Sequence, residues 1–230
     1  MKKAFVGWSG GKDCTLALHK VVTEGLYQVE YLMTNVSAET QRVSMHGVRK
    51  ELITRQEFSL GIRGRKVYLP VGHTFETYNQ YMRHECELMK QRGIDHAVYG
   101  DIFLEDLKKY REEKLAEVAL QGIFPLWKIP STKVYEEFVG LGYRSMIICV
   151  DESKLGKEFL GRTLDAQLLG EFPGGVDCCG ENGEFHTFTY AGPLFKNPIA
   201  FKTGETVYKT YKSPTGEEGM GFYFLDLVPA

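Results

Sequence analysis

The chain has 230 residues, of which 43% are hydrophobic and 25% charged, with a net charge of −2. That length gives one large domain or two small ones with ample core, and the composition is that of a soluble globular protein. With no basic stripe and no apolar run of membrane-spanning length, neither nucleic acid nor a membrane is expected as a partner.

The first apolar run, Ala4 to Trp8, has strand character and leads without a spacer into Ser9-Gly10-Gly11-Lys12-Asp13-Cys14. Thr15 to Lys20 then reads as the first turns of a helix. The opening Met1-Lys2-Lys3 and its few apolar residues are too short for a signal peptide, so a cytoplasmic protein is expected. Further strands are expected over 29–34, 66–71 and 95–99, alternating with helices over 48–60, 75–91 and 104–120. This alternation predicts βαβ units and a parallel sheet, whose ligands bind beyond the carboxyl ends of the strands. Residues 9–14, 44–47 and 100–102 fall at such ends.

Phe124-Pro125-Leu126-Trp127 breaks the pattern. A short helix over 132–141, a buried strand over 145–150 and terminal strands over 201–211 and 221–227 follow. The domain expectation is therefore 1–123 for the parallel-sheet unit and 124–230 for a smaller α+β unit. The Tyr and Phe of the last stretch fit either core or an interface, and a homodimer is compatible with them. Five cysteines, an odd number, argue against a disulfide framework and fit a reducing compartment, and without a C-x-x-C pair no structural zinc is expected.

The corner at 9–14 has the geometry that holds phosphate. Glycines let backbone approach an anion, and the helix start offers unpaired N–H groups and a positive dipole end. Ser9 adds a hydroxyl and Lys12 a cation. The common P-loop is excluded, because Val6 stands where its first Gly belongs and Asp13 follows the Lys. An Asp inside an anion cradle suits a magnesium ion bridging it to phosphate. Asp101, after a strand and Gly100, can hold magnesium or a ribose hydroxyl, or cap the helix after it. His46, beside Gly47, can stack on adenine, contact phosphate or sit as an ordinary loop histidine.

The second rich stretch is Gly180-Glu181-Asn182-Gly183-Glu184-Phe185-His186-Thr187. If 184–188 is extended, Glu184 and His186 share a face. Such a pair suits proton removal from an incoming amine or the gripping of an amide or cationic substrate. Asn182-Gly183 is also a hairpin turn signal, and a hairpin can carry a site.

SGGKD at 9–13 resembles the pyrophosphate loop of the N-type ATP pyrophosphatases, with Cys14 where they usually have Ser. Together with YGDIFLEDLKKYREE at 99–113, FPLW at 124–127, VDCCGENGEFHTF at 176–188 and GPLF at 192–195, the chain resembles the diphthine–ammonia ligase family. GDIFLED and the length look most similar to its bacterial branch. The resemblance implies an adenine nucleotide α-hydrolase-like (HUP, Rossmann-like) parallel-sheet domain and a C-terminal substrate domain. It implies adenylation of a carboxylate by ATP, release of AMP and pyrophosphate, and amide formation with ammonium. The acid would be diphthine on elongation factor 2 in an archaeal or eukaryotic member, and another acid in a bacterial one.

Carried over by the resemblance, Ser9, Gly10, Gly11, Lys12, Asp13 and Cys14 bind the triphosphate, with Gly100, Asp101, Ile102 and His46 about the nucleotide. Asp13 and Asp101 would hold magnesium. Gly180, Glu181, Gly183, Glu184 and Thr187 would face the acyl-adenylate and ammonia, and Lys12, Glu181, Glu184 and His186 would be catalytic. Alanine at Glu184 is then expected to abolish product formation and spare ATP binding, whereas equal loss of both marks a structural role. Two other functions remain open on the residues. Sulfur transfer to tRNA or a small molecule would use Cys178 or Cys179, and a nucleotide sensor would bind without turnover.

Overall fold

The computed structural model describes residues 1–211 and 220–230. Five strands form a parallel sheet in the order β3-β2-β1-β4-β5. They are β1 (Lys2–Gly7), β2 (Tyr27–Ser37), β3 (Arg63–Leu69), β4 (His96–Val98) and β5 (Gln121–Ile123). β1 is central because it is apolar on both faces: Ala4, Phe5 and Val6 are fully buried, and Val6 pairs with Leu32 on one side and Val98 on the other. Helices α1 (Lys12–Thr23), α2 (Lys50–Leu60), α3 (Phe75–Gln91) and α4 (Glu105–Ala116) connect the strands. The strand order reverses between β1 and β4, so a crevice opens beyond their carboxyl ends. The expected α/β architecture with a Rossmann-like parallel sheet is present.

Two helix boundaries differ from the sequence reading. α2 starts at Lys50 rather than 48, because Arg49 is extended and Val48 accepts a backbone bond from Val43. α4 stops at Ala116 rather than 120. There the Leu115 carbonyl takes the N–H groups of Val118 and Leu120, and Ala119 turns to φ +55°.

The remaining chain adds α5 (Ser131–Gly140), α6 (Ala166–Leu169) and a four-stranded antiparallel sheet. Its order is β7-β6-β9-β8, from β6 (Arg144–Asp151), β7 (Phe185–Ala191), β8 (Phe201–Tyr211) and β9 (Met220–Pro229). One hydrophobic cluster runs through both sheets, joining Val6 and Leu16 to Ile147 and Phe188. β7 lies against the 9–14 corner, where the Thr189 N–H donates to the Gly10 carbonyl at 2.8 Å. Among the described residues no helix is long and apolar enough to cross a membrane.

Candidate active site

The corner after β1 is shaped for close backbone approach. Gly10 has φ +83°, a conformation that favours glycine, and a Cβ there would also meet Ile53 and Gln56. Gly11 caps α1 in an extended conformation and brings no side-chain acceptor of its own. That acceptor comes from the second sheet: the Lys12 N–H donates to Thr187 Oγ1 at 3.0 Å. The Cys14 thiol donates to the Gly11 carbonyl at 3.2 Å and lies 3.6 Å from Ser9 Oγ. Cys14 thus braces the loop from beneath, and burial pushes its pKa up.

Lys12 is buried, and its ammonium donates to Asp13 Oδ2 at 2.7 Å and to the Cys179 carbonyl. Burial is the largest influence and opposes its charge, but Asp13, Cys179 and Glu181 together outweigh it and hold the pKa above the ordinary lysine value. The other Asp13 oxygen, Oδ1, is buried with no hydrogen-bond partner among the described residues. An acceptor-only atom left open beside an anion cradle fits a single carboxylate contact to magnesium, which otherwise keeps water and phosphate ligands. Asp101 is placed differently. It lies 2.7 Å from Arg111 Nε in an ion pair, and the Arg111 guanidinium sits 4.1 Å from the Tyr99 ring centre. Asp101 is therefore already neutralised by a cation. No group of three or more His, Cys, Asp or Glu is arranged for a metal among the described residues. Gly100 is glycine for a steric reason, since a Cβ would fall 2.6 Å from the Asp13 carbonyl carbon.

The opposite wall is the turn leading into β7. Gly180 has φ +68°, and a Cβ there would lie 2.6 Å from the Phe185 carbonyl oxygen. The Gly183 N–H closes the turn on the Gly180 carbonyl at 3.0 Å. No strand precedes it, so Asn182-Gly183 does not join two strands as a hairpin would. Glu181 reaches across to the first sheet, where its Oε1 accepts the Ile102 N–H at 2.8 Å. Ile102 itself is fully buried, and its contribution is this backbone group. Burial raises the Glu181 carboxyl to about 7, with Asp13 and Asp101 adding to the rise and the Ile102 N–H and Lys12 opposing it.

Glu184 departs from the expectation that it faces the reacting groups. It is 2% exposed, and its Oε1 accepts the Asp177 N–H at 3.1 Å and the Asn182 side-chain N–H at 3.0 Å. Asp177 in turn accepts the Glu181 N–H at 2.9 Å. Glu184 is thus the post on which the turn is folded, its Oε1 committed to the turn's own N–H groups.

His186 stacks on His46, with ring centroids 4.3 Å apart and an interplanar angle of 29°. Burial lowers His186 to about 4 and His46 well below the ordinary imidazole range. Both rings are neutral at pH 7, so neither brings a positive charge to phosphate. His46 Cε1 lies 3.2 Å from where a Gly11 Cβ would be, so the pair walls the glycine turn.

Ser9, Lys12, Asp13, His46, Asp101 and Glu181 line one cavity of about 450 Å³. The sequence reading missed Gln56, which is fully buried. Its amide accepts the Trp8 indole N–H at 2.9 Å and donates to the Gly10 and Thr189 carbonyls at 3.0 and 2.6 Å. The available signal was its place, four residues from Leu52 and from Leu60 on the apolar side of α2. Asp177 and Arg111 were also missed. Cys178 and Cys179 are both buried, and the Cys179 thiol donates to the Ser131 carbonyl at 3.3 Å. They are placed as structural thiols rather than as an exposed sulfur carrier.

A parallel sheet with a glycine corner at its switch point and an ion-paired lysine in it defines a nucleotide-using enzyme of the N-type ATP pyrophosphatase fold. Residues 1–121 match the family model described as the diphthamide synthase N-terminal domain, and residues 130–215 the one described as the diphthamide synthase C-terminal domain. The chain belongs to the diphthamide synthase family, and at family level it is an ATP-dependent ligase. The rat diphthine–ammonia ligase is 26% identical over 224 residues, covering 86% of this chain and 82% of the relative. The human one is 26% identical over 223 residues with the same coverage. The zebrafish diphthine–ammonia ligase is 32% identical over 143 residues, which span 59% of this chain and about half, 54%, of that relative.

Proposed function

We propose that the chain is an amide-forming ligase that adenylates a carboxylate with ATP, releasing pyrophosphate, and then transfers the acyl group to ammonia. The observation that carries this reading is the meeting, in one cavity, of the Lys12–Asp13 corner and a carboxyl lifted to about 7, Glu181. The α1 N-terminus, the Gly10 and Gly11 backbone and Lys12 hold the triphosphate. Asp13 Oδ1 is the oxygen that would hold magnesium, which when bound neutralises phosphate charge as pyrophosphate departs. The substrate carboxylate oxygen attacks the α-phosphorus, and the bond from that phosphorus to the bridging oxygen breaks. Lys12 meets the charge that builds on the leaving pyrophosphate.

Glu181 then takes a proton from ammonium. The freed ammonia attacks the acyl carbon, the bond from that carbon to the AMP oxygen breaks, and the new amide nitrogen gives up one proton to solvent. A carboxyl near 7 suits this role, being ionised over part of the working range and still basic enough to accept a proton. His186 and His46, neutral and stacked, shape the wall and exclude water. Because relatives are named diphthine–ammonia ligase, diphthine on elongation factor 2 is the first acid to test, and other carboxylic acids follow. Five unpaired, buried thiols suit a reducing cytoplasmic setting.

The test is product identification with magnesium, ATP, ammonium and the acid. AMP and pyrophosphate formed in step with an amide are expected. ADP and phosphate, or ATP binding without turnover on any acid offered, would overturn the ligase reading.

A further inference from the structure

The two sheets have four edges among the described residues, and three of them are closed to further strands. β5 has only three residues. β7 is covered where Thr189 bonds to Gly10 and Thr187 to Lys12. β3 is longer, but its Arg65 and Lys66 are already ion-paired with Glu85 and Glu57, and the strand carries no acidic residue that a second copy could match. β8 is the exception. It has eleven residues, ten of them exposed, and β9 is its one strand partner among the described residues. It exposes Val207, Tyr208 and Tyr211, and it carries both signs of charge, in Lys202, Glu205 and Lys209.

The order of those charges is self-complementary. The β8–β9 ladder has an irregularity between Thr203 and Thr206 and is regular from Thr206 to Tyr211. Val207 and Lys209 lie opposite Phe224 and Phe222, and the Lys209 ammonium sits 5.8 Å from the Phe224 ring centre. Val207, Lys209 and Tyr211 therefore share a face, and Glu205, at the irregular step two residues before Val207, is the acidic residue next to it. In an antiparallel pairing of β8 with itself about Val207, Glu205 faces Lys209 of the second copy and Lys209 faces its Glu205. Thr206 then faces Tyr208. Of the registers centred within Thr206–Tyr211, only this one sets opposite charges across from each other. The register centred on Lys209 sets lysine against lysine.

We propose that β8 is a homodimer interface, pairing antiparallel with β8 of a second copy about a two-fold axis at Val207. The arrangement is isologous and closed, and it joins two four-stranded sheets into one of eight strands. Cross-strand charge and aromatic–polar pairs fix its register.

Sedimentation equilibrium of the full chain over a concentration series tests this, with Glu205→Lys, Lys209→Glu and the double reversal. Both positions are exposed and lie outside the cavity, and circular dichroism checks that each variant keeps its fold. The wild type is expected to dimerise. Each single reversal is counted twice by the two-fold axis and should weaken the dimer at least about tenfold, while the double reversal should return it to within about threefold of wild type. A wild type that stays monomeric throughout the series overturns the proposal. So do single variants that dimerise as well as wild type, and so does a double reversal as weak as the singles.

Discussion

The backbone N–H of Lys12 donates to the hydroxyl of Thr187 at 3.0 Å, across 175 residues of chain. The helix that starts the nucleotide corner thus takes its capping acceptor from the other sheet. Thr187→Val keeps the shape and removes the acceptor, so it should cost about 1–2 kcal/mol of stability in denaturant titration. It should also weaken ATP binding, because the first turn of α1 loosens. Thr187→Ser should retain most of both.

Gln56 couples the Trp8 indole to the Gly10 and Thr189 carbonyls, and its loss is expected to be felt twice. Gln56→Met fills the same space but strands the Trp8 N–H, takes the amide donor from the Thr189 carbonyl and leaves the Gly10 carbonyl only the Thr189 N–H. The expected destabilisation is about 2–4 kcal/mol by chemical denaturation. The KM for ATP should rise more than kcat falls, since the residue fixes the loop and touches no reacting atom. A variant with wild-type stability would show that the three groups find other partners.

The two glutamates of the turn should separate cleanly. Glu181→Gln is expected to abolish amide formation while ATP still binds. Glu184→Ala removes the acceptor for Asp177 and Asn182, so stability and ATP binding should fall together. Calorimetric binding beside a product assay distinguishes the two patterns.

The Glu181 carboxyl also predicts two pH dependences. Turnover in the wild type should rise as pH passes about 7, where the carboxyl ionises. The folded-state value is raised above that of the unfolded chain. Its contribution to stability is therefore complete below the ordinary carboxylate range and is lost as pH rises through about 7. Glu181→Gln does not titrate, so its melting temperature should gain on the wild type between about pH 5 and pH 8. A constant difference across that range would place the carboxyl's titration elsewhere.

Asp13 holds the Lys12 ammonium at 2.7 Å, so its carboxylate and a phosphate compete for one cation. Asp13→Asn removes the competing charge. ATP binding measured in EDTA should tighten severalfold, while the gain on adding magnesium should largely disappear. Unchanged magnesium dependence would mean that the metal is held by other groups.

The parts legible in the sequence were those with a local cause. Apolar Ala4–Trp8 had to be a buried strand, and the two glycines after it had to turn beside a helix start. The site's second wall was harder to read. Strand alternation makes Glu184 a partner of His186, yet its carboxylate folds back onto the Asp177 and Asn182 N–H groups of the turn. Thr187 looked like a substrate contact, whereas its hydroxyl serves a helix more than a hundred residues earlier in the chain. Gln56 was invisible as a site residue, since a helix pattern shows which side is buried but not which distant carbonyls arrive there. His46 and His186 were each visible as candidates, and nothing local showed that they would meet.

β9 clamps the segment that carries His46. Asp226 bonds Arg42 and Arg49 at 2.7 Å each, and a Cβ at Gly47 would lie 2.8 Å from the Phe224 ring. During synthesis the nucleotide corner leaves the ribosome long before residues 220–229 exist. The cavity wall between His46 and His186 therefore cannot lock until β9, with β8 paired to it, has docked on β6. Such late, non-local closure slows folding, and it leaves the corner without its finished wall while the polypeptide is still being extended.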